Sequence, residues 1–240
     1  MIIKKVEKKS GTSYRVLFND GINQEGKCIQ KTVDGFKTLT EAEEFLNSID
    51  KYKLVIKSNS KQLVEPKSKK KYNPKTWNCF EVQQFIELAN NTHNGLLYEV
   101  TLATGLRLGE VTGLSWSDVD FKEKTLTVSK AVTHGYSRDL ITMLVNNKRT
   151  ISLPDQLIEK LVYHKKNQEQ LKVELGKNYQ NIYNLVFTNK GGGIINPVVI
   201  HGQLKNLINT AGVREITFHG LRHTHFRLLM QNGEHRSCNS

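Results

Sequence analysis

Residues 216–225, Ile-Thr-Phe-His-Gly-Leu-Arg-His-Thr-His, strongly constrain how this chain can fold. His219 and Arg222 are three positions apart, so a helix puts them on one face, a turn from each other. We predict a helix that begins near His219 and ends at Asn232, because Gly233 follows. A guanidinium donates hydrogen bonds to two phosphate oxygens at once, and an imidazole can donate a proton. A helix N-terminus adds positive potential. The pair is therefore suited to holding a phosphate, although H-x-x-R alone is a weak signal.

A second segment upstream, residues 103–118, strengthens this interpretation. Gly105 ends one helix, Arg107 begins the next, and Glu110 follows one turn later, close enough to orient the Arg107 guanidinium. The alternative is an ion pair that only ties helices together. The order A-T-G-L-R-x-G-E, then H-x-L-R-H-T-H, resembles the catalytic domain of the tyrosine recombinases, specifically phage-type and transposon-type integrases. The resemblance extends over residues 73–232.

The resemblance implies a specific chemistry. Members of that family attack a DNA phosphodiester with a tyrosine hydroxyl and form a 3′-phosphotyrosyl link, without a metal or cofactor. Two arginines clamp the non-bridging oxygens, a lysine protonates the departing 5′-oxygen, and histidines assist. Arg107 and Arg222 match the two arginines, and His219 matches the first histidine. The implied partner is duplex DNA, with no small-molecule substrate, and the implied origin is a mobile element.

The lysine is the first departure from the family pattern. It belongs in the hairpin turn before the strand that corresponds to residues 149–154. Counting back from Pro154 gives Val145 or Asn146, and neither side chain can act as a general acid. Lys148 is the nearest lysine. It either replaces the family lysine in a shifted hairpin or is an ordinary turn residue.

The second departure is the nucleophile, because all eight tyrosines precede Arg222. We therefore expect a truncated family member that binds DNA but does not cleave it alone. The alternative is a subunit of an active recombinase that receives the tyrosine in trans from a full-length integrase subunit. Without further C-terminal helices, Phe226, Leu229 or Met230 is expected to be exposed.

A zinc site is a further alternative for the histidines. His219 and His223 are spaced i, i+4, with His225, His235 and Cys238 nearby. The intervening residues lack the glutamate of a metalloprotease helix, and the neighbouring arginine would repel a cation. We predict no metal ligands here, and we interpret His225 as a packed or phosphate-facing residue.

Residues 1–50 are predicted to form three strands and one helix, the helix capped by Thr40 and Glu43. This pattern is similar to the arm-type DNA-binding module at the N-terminus of many integrases. A small basic domain with no specific ligand is the alternative. The candidate DNA contacts are Arg15, Lys27 and Lys31.

Residues 51–75 are predicted to be a basic linker, either lying along phosphates or only connecting its neighbours. The helical core-binding domain that integrases usually carry at this place is absent. Residues 76–240 are predicted to be a C-terminally incomplete catalytic domain. The fold class is α+β: a three-stranded sheet with a helix, then a mainly helical domain with a small antiparallel sheet. Its predicted strands are 125–131, 140–145 and 149–153.

The charge favours a polyanionic partner, since the net charge is +12 and residues 1–75 hold 17 basic against 9 acidic residues. The three cysteines are widely spaced and odd in number, which argues against a disulfide framework and for a reducing compartment. No apolar run has the length of a signal peptide or a membrane span. We expect a soluble, cytoplasmic protein with no membrane partner.

Overall fold

Two antiparallel three-stranded sheets and seven α-helices make up the described part of this computed structural model, residues 2–8, 11–22, 28–47, 75–134 and 140–234. The predicted α+β class is confirmed. Within these ranges, no helix is both long and apolar enough to cross a bilayer. The elements in chain order are β1 (Ile2–Lys8), β2 (Gly11–Ile22), β3 (Cys28–Phe36), α1 (39–47), α2 (Cys79–Ala89), α3 (Gly95–Thr104), α4 (Leu108–Thr112), β4 (Val119–Asp120), β5 (Thr125–His134), β6 (Leu140–Ser152), α5 (Asp155–Leu175), α6 (Pro197–Ala211) and α7 (Phe218–Glu234).

The N-terminal sheet has the order β1-β2-β3, and α1 packs on one of its faces. Val16 and Ala42 are completely buried, because apolar residues alternate along β2 and recur along α1. The predicted cap was wrong by two positions. The hydroxyl of Thr38 accepts from the Glu41 N–H, and the Glu41 carboxylate accepts from the Lys37 N–H. The chain contains two T-x-x-E sequences, and the helix begins after the first.

Phenylalanine rings connect the N-terminal sheet and helix to α2. Phe45 lies 5.0 Å from Phe36 and 5.6 Å from Phe80, measured between ring centroids. Nearly all of the linker expected at 51–75 falls outside the described residues. The domain division therefore stays a prediction.

The second sheet has the order β4-β5-β6 and differs from the three strands predicted. Residues 140–145 and 149–153 were expected to be separate strands joined by a hairpin turn, but β6 runs through both. Val128 pairs with Arg149 and Lys130 pairs with Leu144, so the four residues between Leu144 and Arg149 face one residue of β5. This insertion is a bulge larger than the common kind with two residues opposite one, and both halves of β6 stay on the same partner strand.

α7 spans Phe218–Glu234 and so runs two residues beyond its predicted end at Asn232, whereas the ends of α2 and α6 coincide with local capping signals. Asn78 and Glu81 cap α2 reciprocally at 2.9 Å each, and the αL residue Gly212 ends α6. α7 begins at Phe218 and is tied to the start of this region through Trp77. The Trp77 backbone N–H donates to the Thr224 hydroxyl at 3.0 Å. This bond fixes the helix that carries His219 and Arg222, the predicted phosphate-binding pair.

The expected exposure along α7 was correct at one position. Met230 is 46% exposed, whereas Leu229 is only 3% exposed because α7 packs along α3. Phe226 is partly buried, and its ring lies 4.8 Å from the Arg222 guanidinium carbon. One side of α7 is thus covered within this chain.

Candidate active site

The turn between α3 and α4 is built on Gly105. Its φ of +67° lies in the left-handed region, and its N–H donates to the Thr101 carbonyl at 2.8 Å to end α3. A Cβ at this position would lie 2.7 Å from the His225 ring, so glycine is required by space as well as by conformation. The Gly105 carbonyl accepts a hydrogen bond from Nη1 of Arg222. This turn therefore joins the two predicted segments.

Arg107 lies two residues beyond this turn, at the N-cap of α4. Glu110 accepts from the Arg107 backbone N–H at 2.8 Å and from its Nη1 at 3.1 Å, as the i, i+3 spacing predicted. The Arg107 side chain remains 62% exposed. Its guanidinium is therefore oriented through one terminal nitrogen, while most of the side chain stays open to solvent.

Two glycines let α4 lie directly against β5. A Cβ on Gly109 would be 2.7 Å from the Val132 carbonyl oxygen, and a Cβ on Gly113 would be 2.9 Å from the Ala131 Cα. Only hydrogen at these positions permits such an approach. The close packing brings Glu110 next to β6, the strand paired with β5.

Glu110 meets a second arginine there, which the sequence analysis missed. Nη1 and Nη2 of Arg149 donate to the two Glu110 oxygens at 3.0 and 2.6 Å. The strand pattern held a signal for this pair. Ile151 and Leu153 are buried and share the parity of Arg149, and an arginine on the buried side of a strand needs a carboxylate partner.

The environment of Glu110 keeps it ionised. Its side chain is 5% exposed, and burial by itself would raise the carboxyl pKa. Hydrogen bonds from Arg149 and from the Arg107 backbone outweigh that effect and lower the Glu110 pKa to about 2. Glu110 is thus an anion held between two cations.

Arg222 completes what we call the cationic site, defined as Arg107, Glu110, Arg149 and Arg222. Burial and then the charge of Arg107 lower the Arg222 pKa from its usual value, with Arg149 adding to the effect. Three arginines around one carboxylate leave an excess of positive charge in these four residues. Such an arrangement favours an anion.

His219 and His223 lie beside Arg222 on α7. His219 is exposed, and its ring centroid is 4.4 Å from that of His223 at an interplanar angle of 88°. Burial lowers the His223 pKa, and the charges of His219 and Arg222 lower it further. Both imidazoles therefore lie on the same helix face as the arginine, as the spacing predicted.

The sequence of this region has relatives of known class. The model described as "Phage integrase family" matches residues 77–237. The chain belongs to the phage integrase family. A tyrosine recombinase XerC-like protein of Caldanaerobacter subterraneus is 29% identical over 181 residues, covering 70% of this chain and 46% of the relative. The ICEBs1 integrase of Bacillus subtilis is 29% identical over 183 residues, covering 73% of this chain and 47% of the relative.

Solved structures of recombinases share the fold of this integrase-family chain. The Tn1549 transposon integrase, solved in complex with a circular intermediate DNA, matches with a TM-score of 0.54 and 17% identity. The match covers 65% of this chain and 52% of that one. XerH recombinase, solved bound to a palindromic difH substrate, matches with a TM-score of 0.51 and 22% identity, covering 72% and 46%. The chain spans about half the length of the curated relatives it matches.

His225 is a packed residue of this integrase-family chain. It is 3% exposed, and its Nδ1 lies 2.9 Å from the Leu102 carbonyl oxygen. A carbonyl only accepts, so Nδ1 carries the proton. Burial lowers the His225 pKa to about 4, which keeps the ring neutral near pH 7. Among the described residues no group of three or more potential metal ligands occurs, and His235 and Cys238 lie outside them.

Lys148 is exposed and belongs to the β6 bulge, so the expected hairpin turn at this place was wrong. β5 and β6 are instead joined through residues 135–139, which lie outside the described part of the chain. The Glu110 carboxylate, the acceptor of the cationic site, receives its side-chain hydrogen bonds from Arg107 and Arg149 and not from Lys148. The role of Lys148 as general acid stays a prediction.

The three candidate DNA contacts of the N-terminal sheet are described unequally. Nη2 of Arg15 lies 3.1 Å from the Asp34 Oδ2 on the neighbouring strand, and Nε also donates to that carboxylate. The Asp34 partner raises the Arg15 pKa. Lys31 lies on β3 opposite Phe18, and Lys27 falls outside the described residues. Asp34 thus competes with any phosphate for Arg15.

Glu110 gives the folded state a measurable pH dependence. Its pKa falls from 4.5 to about 2 on folding, so its stabilising contribution is complete above pH 4.5 and declines as the pH falls through about 2. That shift corresponds to about 3 kcal/mol, of which about 2 kcal/mol is lost between pH 6 and pH 3. We expect urea denaturation to show the stability gap between the wild type and Glu110→Gln narrowing by that amount.

Glu87→Gln is the matched control, because Glu87 is exposed on α2. Its stability should follow the wild type at both pH values. A gap between the wild type and Glu110→Gln that stays constant from pH 6 to pH 3 would contradict the interpretation.

Proposed function

We propose that this chain binds duplex DNA and holds a phosphodiester at the cationic site. The observation that carries the proposal is the Gly105 turn. Arg222 donates to the Gly105 carbonyl, and Arg107 follows two residues later. Two guanidinium groups from separate helices are thereby brought to one turn, the arrangement that a phosphate with two non-bridging oxygens requires.

The proposed roles follow from position. Arg107 and Arg222 neutralise the charge that develops on the non-bridging oxygens, and Glu110 orients Arg107. His219, exposed beside Arg222, donates a hydrogen bond or relays a proton. Lys148, exposed in the β6 bulge, is the candidate acid for the 5′-oxygen. No step in this scheme requires a metal or nucleotide.

The family chemistry also needs a tyrosine nucleophile. Residues 223–240 contain no tyrosine, and attack on a clamped phosphate requires an oxygen held in line with the leaving group. We propose that residues 1–240 bind DNA as a family member that does not cleave it alone.

A second candidate function is favoured by the openness of the site. Arg107 is 62% exposed and His219 is exposed, so a side chain from another molecule can approach a phosphate held there. In this version the chain is a subunit of an active recombinase, and a full-length integrase subunit supplies the tyrosine in trans. The two candidates share the cationic site and differ only in the partner.

The N-terminal sheet is proposed as a separate DNA contact. Residues 1–50 would form the arm-type module, with 51–75 as linker and 76–240 as the catalytic-type region. Basic residues of this module, Arg15 and Lys31 on its strands together with Lys27, would contact phosphates. The Tn1549 integrase and XerH were both solved with DNA, which supports DNA as the partner of this chain.

DNA affinity should fall steeply with salt. Each phosphate neutralised by a basic side chain adds about 0.9 to the slope of log affinity against log salt. We expect Arg107→Ala and Arg15→Ala each to lower that slope by about 1 in fluorescence anisotropy titrations of a labelled duplex.

Lys172→Ala is the charge-matched control, because Lys172 is exposed in the last turn of α5. It should leave the slope unchanged. Binding by the wild type that is weak and insensitive to salt would contradict the proposal, as would an equal effect of all three variants.

A further inference from the structure

We propose that Arg149 is a positioning residue of the cationic site, which holds the Glu110 carboxylate so that Glu110 can orient Arg107 toward a phosphate. The inference rests on the proposed function of that site. Arg149 does not match any of the catalytic positions that the family resemblance assigns. It is assigned here from its contacts alone.

The two arginines divide the Glu110 carboxylate unequally. Arg149 donates from both terminal nitrogens, one to each oxygen, at 3.0 and 2.6 Å. Arg107 uses one terminal nitrogen, at 3.1 Å. The bidentate pair fixes the carboxylate plane. The Nη1 bond aligns the Arg107 side chain, whose other guanidinium nitrogens make no hydrogen bond to a described residue, and the Arg107 backbone N–H also donates to the carboxylate at 2.8 Å. Arg107 is 62% exposed and Arg149 31%, so Arg107 is the one presented to solvent.

Arg149 also links the carboxylate to the sheet. It pairs with Val128 on β5, at the edge of the bulge, and β5 is the strand on which α4 rests. Glu110 is consequently held from α4 by its own backbone and from β6 by Arg149. A change in the α4–sheet spacing would move the carboxylate, and with it the Arg107 side chain.

Without Arg149, the Glu110 carboxylate would keep only the two hydrogen bonds from Arg107, one from the backbone N–H and one from Nη1. The carboxylate is 5% exposed, and a buried carboxylate that loses its bidentate partner becomes protonated or shifts toward water. A protonated Glu110 offers one fewer acceptor, and Arg107 would lose the bond that aligns it. Phosphate would then bind more weakly at Arg107, even though Arg149 itself contacts no phosphate.

The test follows arginine Nε–Hε signals by NMR while the 240-residue chain is titrated with inorganic phosphate. We expect saturable shifts for Arg107 and Arg222 in the wild type. Arg149→Met should weaken the phosphate affinity read at Arg107 by roughly tenfold, the lower end of the loss when a group that orients a metal ligand is removed. The affinity read at Arg222 should change less, because the Gly105 carbonyl still holds it.

Lys160→Met is the matched control, since Lys160 donates to both oxygens of the partly buried Glu99 between α5 and α3. It removes a comparable ion pair away from the cationic site and should leave phosphate affinity at Arg107 unchanged. Phosphate affinity is measured at about pH 6 and again at about pH 4, because a loss of packing alone would not make the effect of Arg149→Met depend on pH. The wild-type to Arg149→Met affinity ratio should grow as Glu110 takes up a proton in the variant.

The outcomes separate the two claims. No phosphate-dependent shift at Arg107 in the wild type would overturn the proposed function. A wild-type shift with Arg149→Met equal to Lys160→Met, at both pH values, would overturn the positioning role alone. If Arg149→Met does not fold, Arg149→Lys decides, because lysine keeps the charge but cannot hold both oxygens. Affinity below that of Lys160→Met then supports the role, and equal affinity overturns it.

Discussion

Incubated with a nicked suicide substrate carrying its core site, residues 1–240 alone should form no covalent protein–DNA adduct on a denaturing gel. In the proposed site Arg107 and Arg222 polarise a phosphate, but residues 223–240 contain no tyrosine to attack it. A water molecule could attack the phosphate in place of the tyrosine hydroxyl, but it would not be held in line with the leaving group. Holding the nucleophile in line accelerates the reaction by a factor on the order of 10⁵ or more. An adduct from the chain alone would overturn this expectation.

The same assay discriminates donation in trans. A full-length integrase in which the arginine corresponding to Arg107 is replaced should form no adduct by itself. If this chain serves as the acceptor site, adding it restores an adduct of the size of the full-length partner. Arg107→Ala in this chain should then abolish that adduct, whereas Lys172→Ala should not. No adduct in any mixture would leave DNA binding as the function.

Lys148 can be examined in that restored reaction. Replacing the departing 5′-oxygen with sulfur removes the need for a general acid, because a thiolate leaves without a proton. If Lys148 protonates the leaving group, Lys148→Ala slows cleavage of the oxygen substrate and not of the sulfur substrate. Equal slowing of both substrates would assign Lys148 to binding.

The second large effect is expected at Gly105. Gly105→Ala places a methyl group 2.7 Å from the buried His225 ring in a left-handed backbone. The backbone conformation costs about 1–2 kcal/mol for an L residue. The collision costs about 1–3 kcal/mol more. We expect urea denaturation to show a loss of about 3 kcal/mol and phosphate binding at Arg222 to weaken, since the Gly105 carbonyl is its anchor.

Gly212→Ala isolates the backbone part of that cost. Gly212 also ends a helix in the left-handed region, at φ +63°, and nothing lies within 4 Å of a Cβ there. It should lose only about 1 kcal/mol, the conformational term. Equal losses in the two variants would mean that the His225 ring yields without cost.

Local chemistry accounts for what the sequence predicted well. The Arg107–Glu110 contact spans three residues, and α4 brings the two side chains within reach of each other. The cap of α2 by Asn78 and Glu81 and the end of α6 at Gly212 depend on neighbours within one turn. His219 and Arg222 share a face for the same reason. Each of these features depends on residues that lie within about one helical turn of each other.

Contacts between distant segments account for what the sequence did not predict. Arg149 reaches Glu110 only because two glycines let α4 approach β5, which aligns β6 beside it. The single β6 strand with its bulge arises from pairing with β5, and no local signal in residues 144–149 distinguishes a bulge from a turn. The burial of Leu229 likewise depends on α3.

The sequence by itself determined the family, the fold class and the candidate residues of segments 103–118 and 216–225. These depend on residue spacings of a few positions along the chain. Only the tertiary structure decided that Arg149 is the second partner of Glu110, that His225 packs on Gly105 and that Lys148 lies in a bulge. The physical reason is that a buried charged side chain such as Glu110 is stable only when it is paired with an opposite charge. The partner can come from a distant segment, and how closely the backbones pack decides which residue it is.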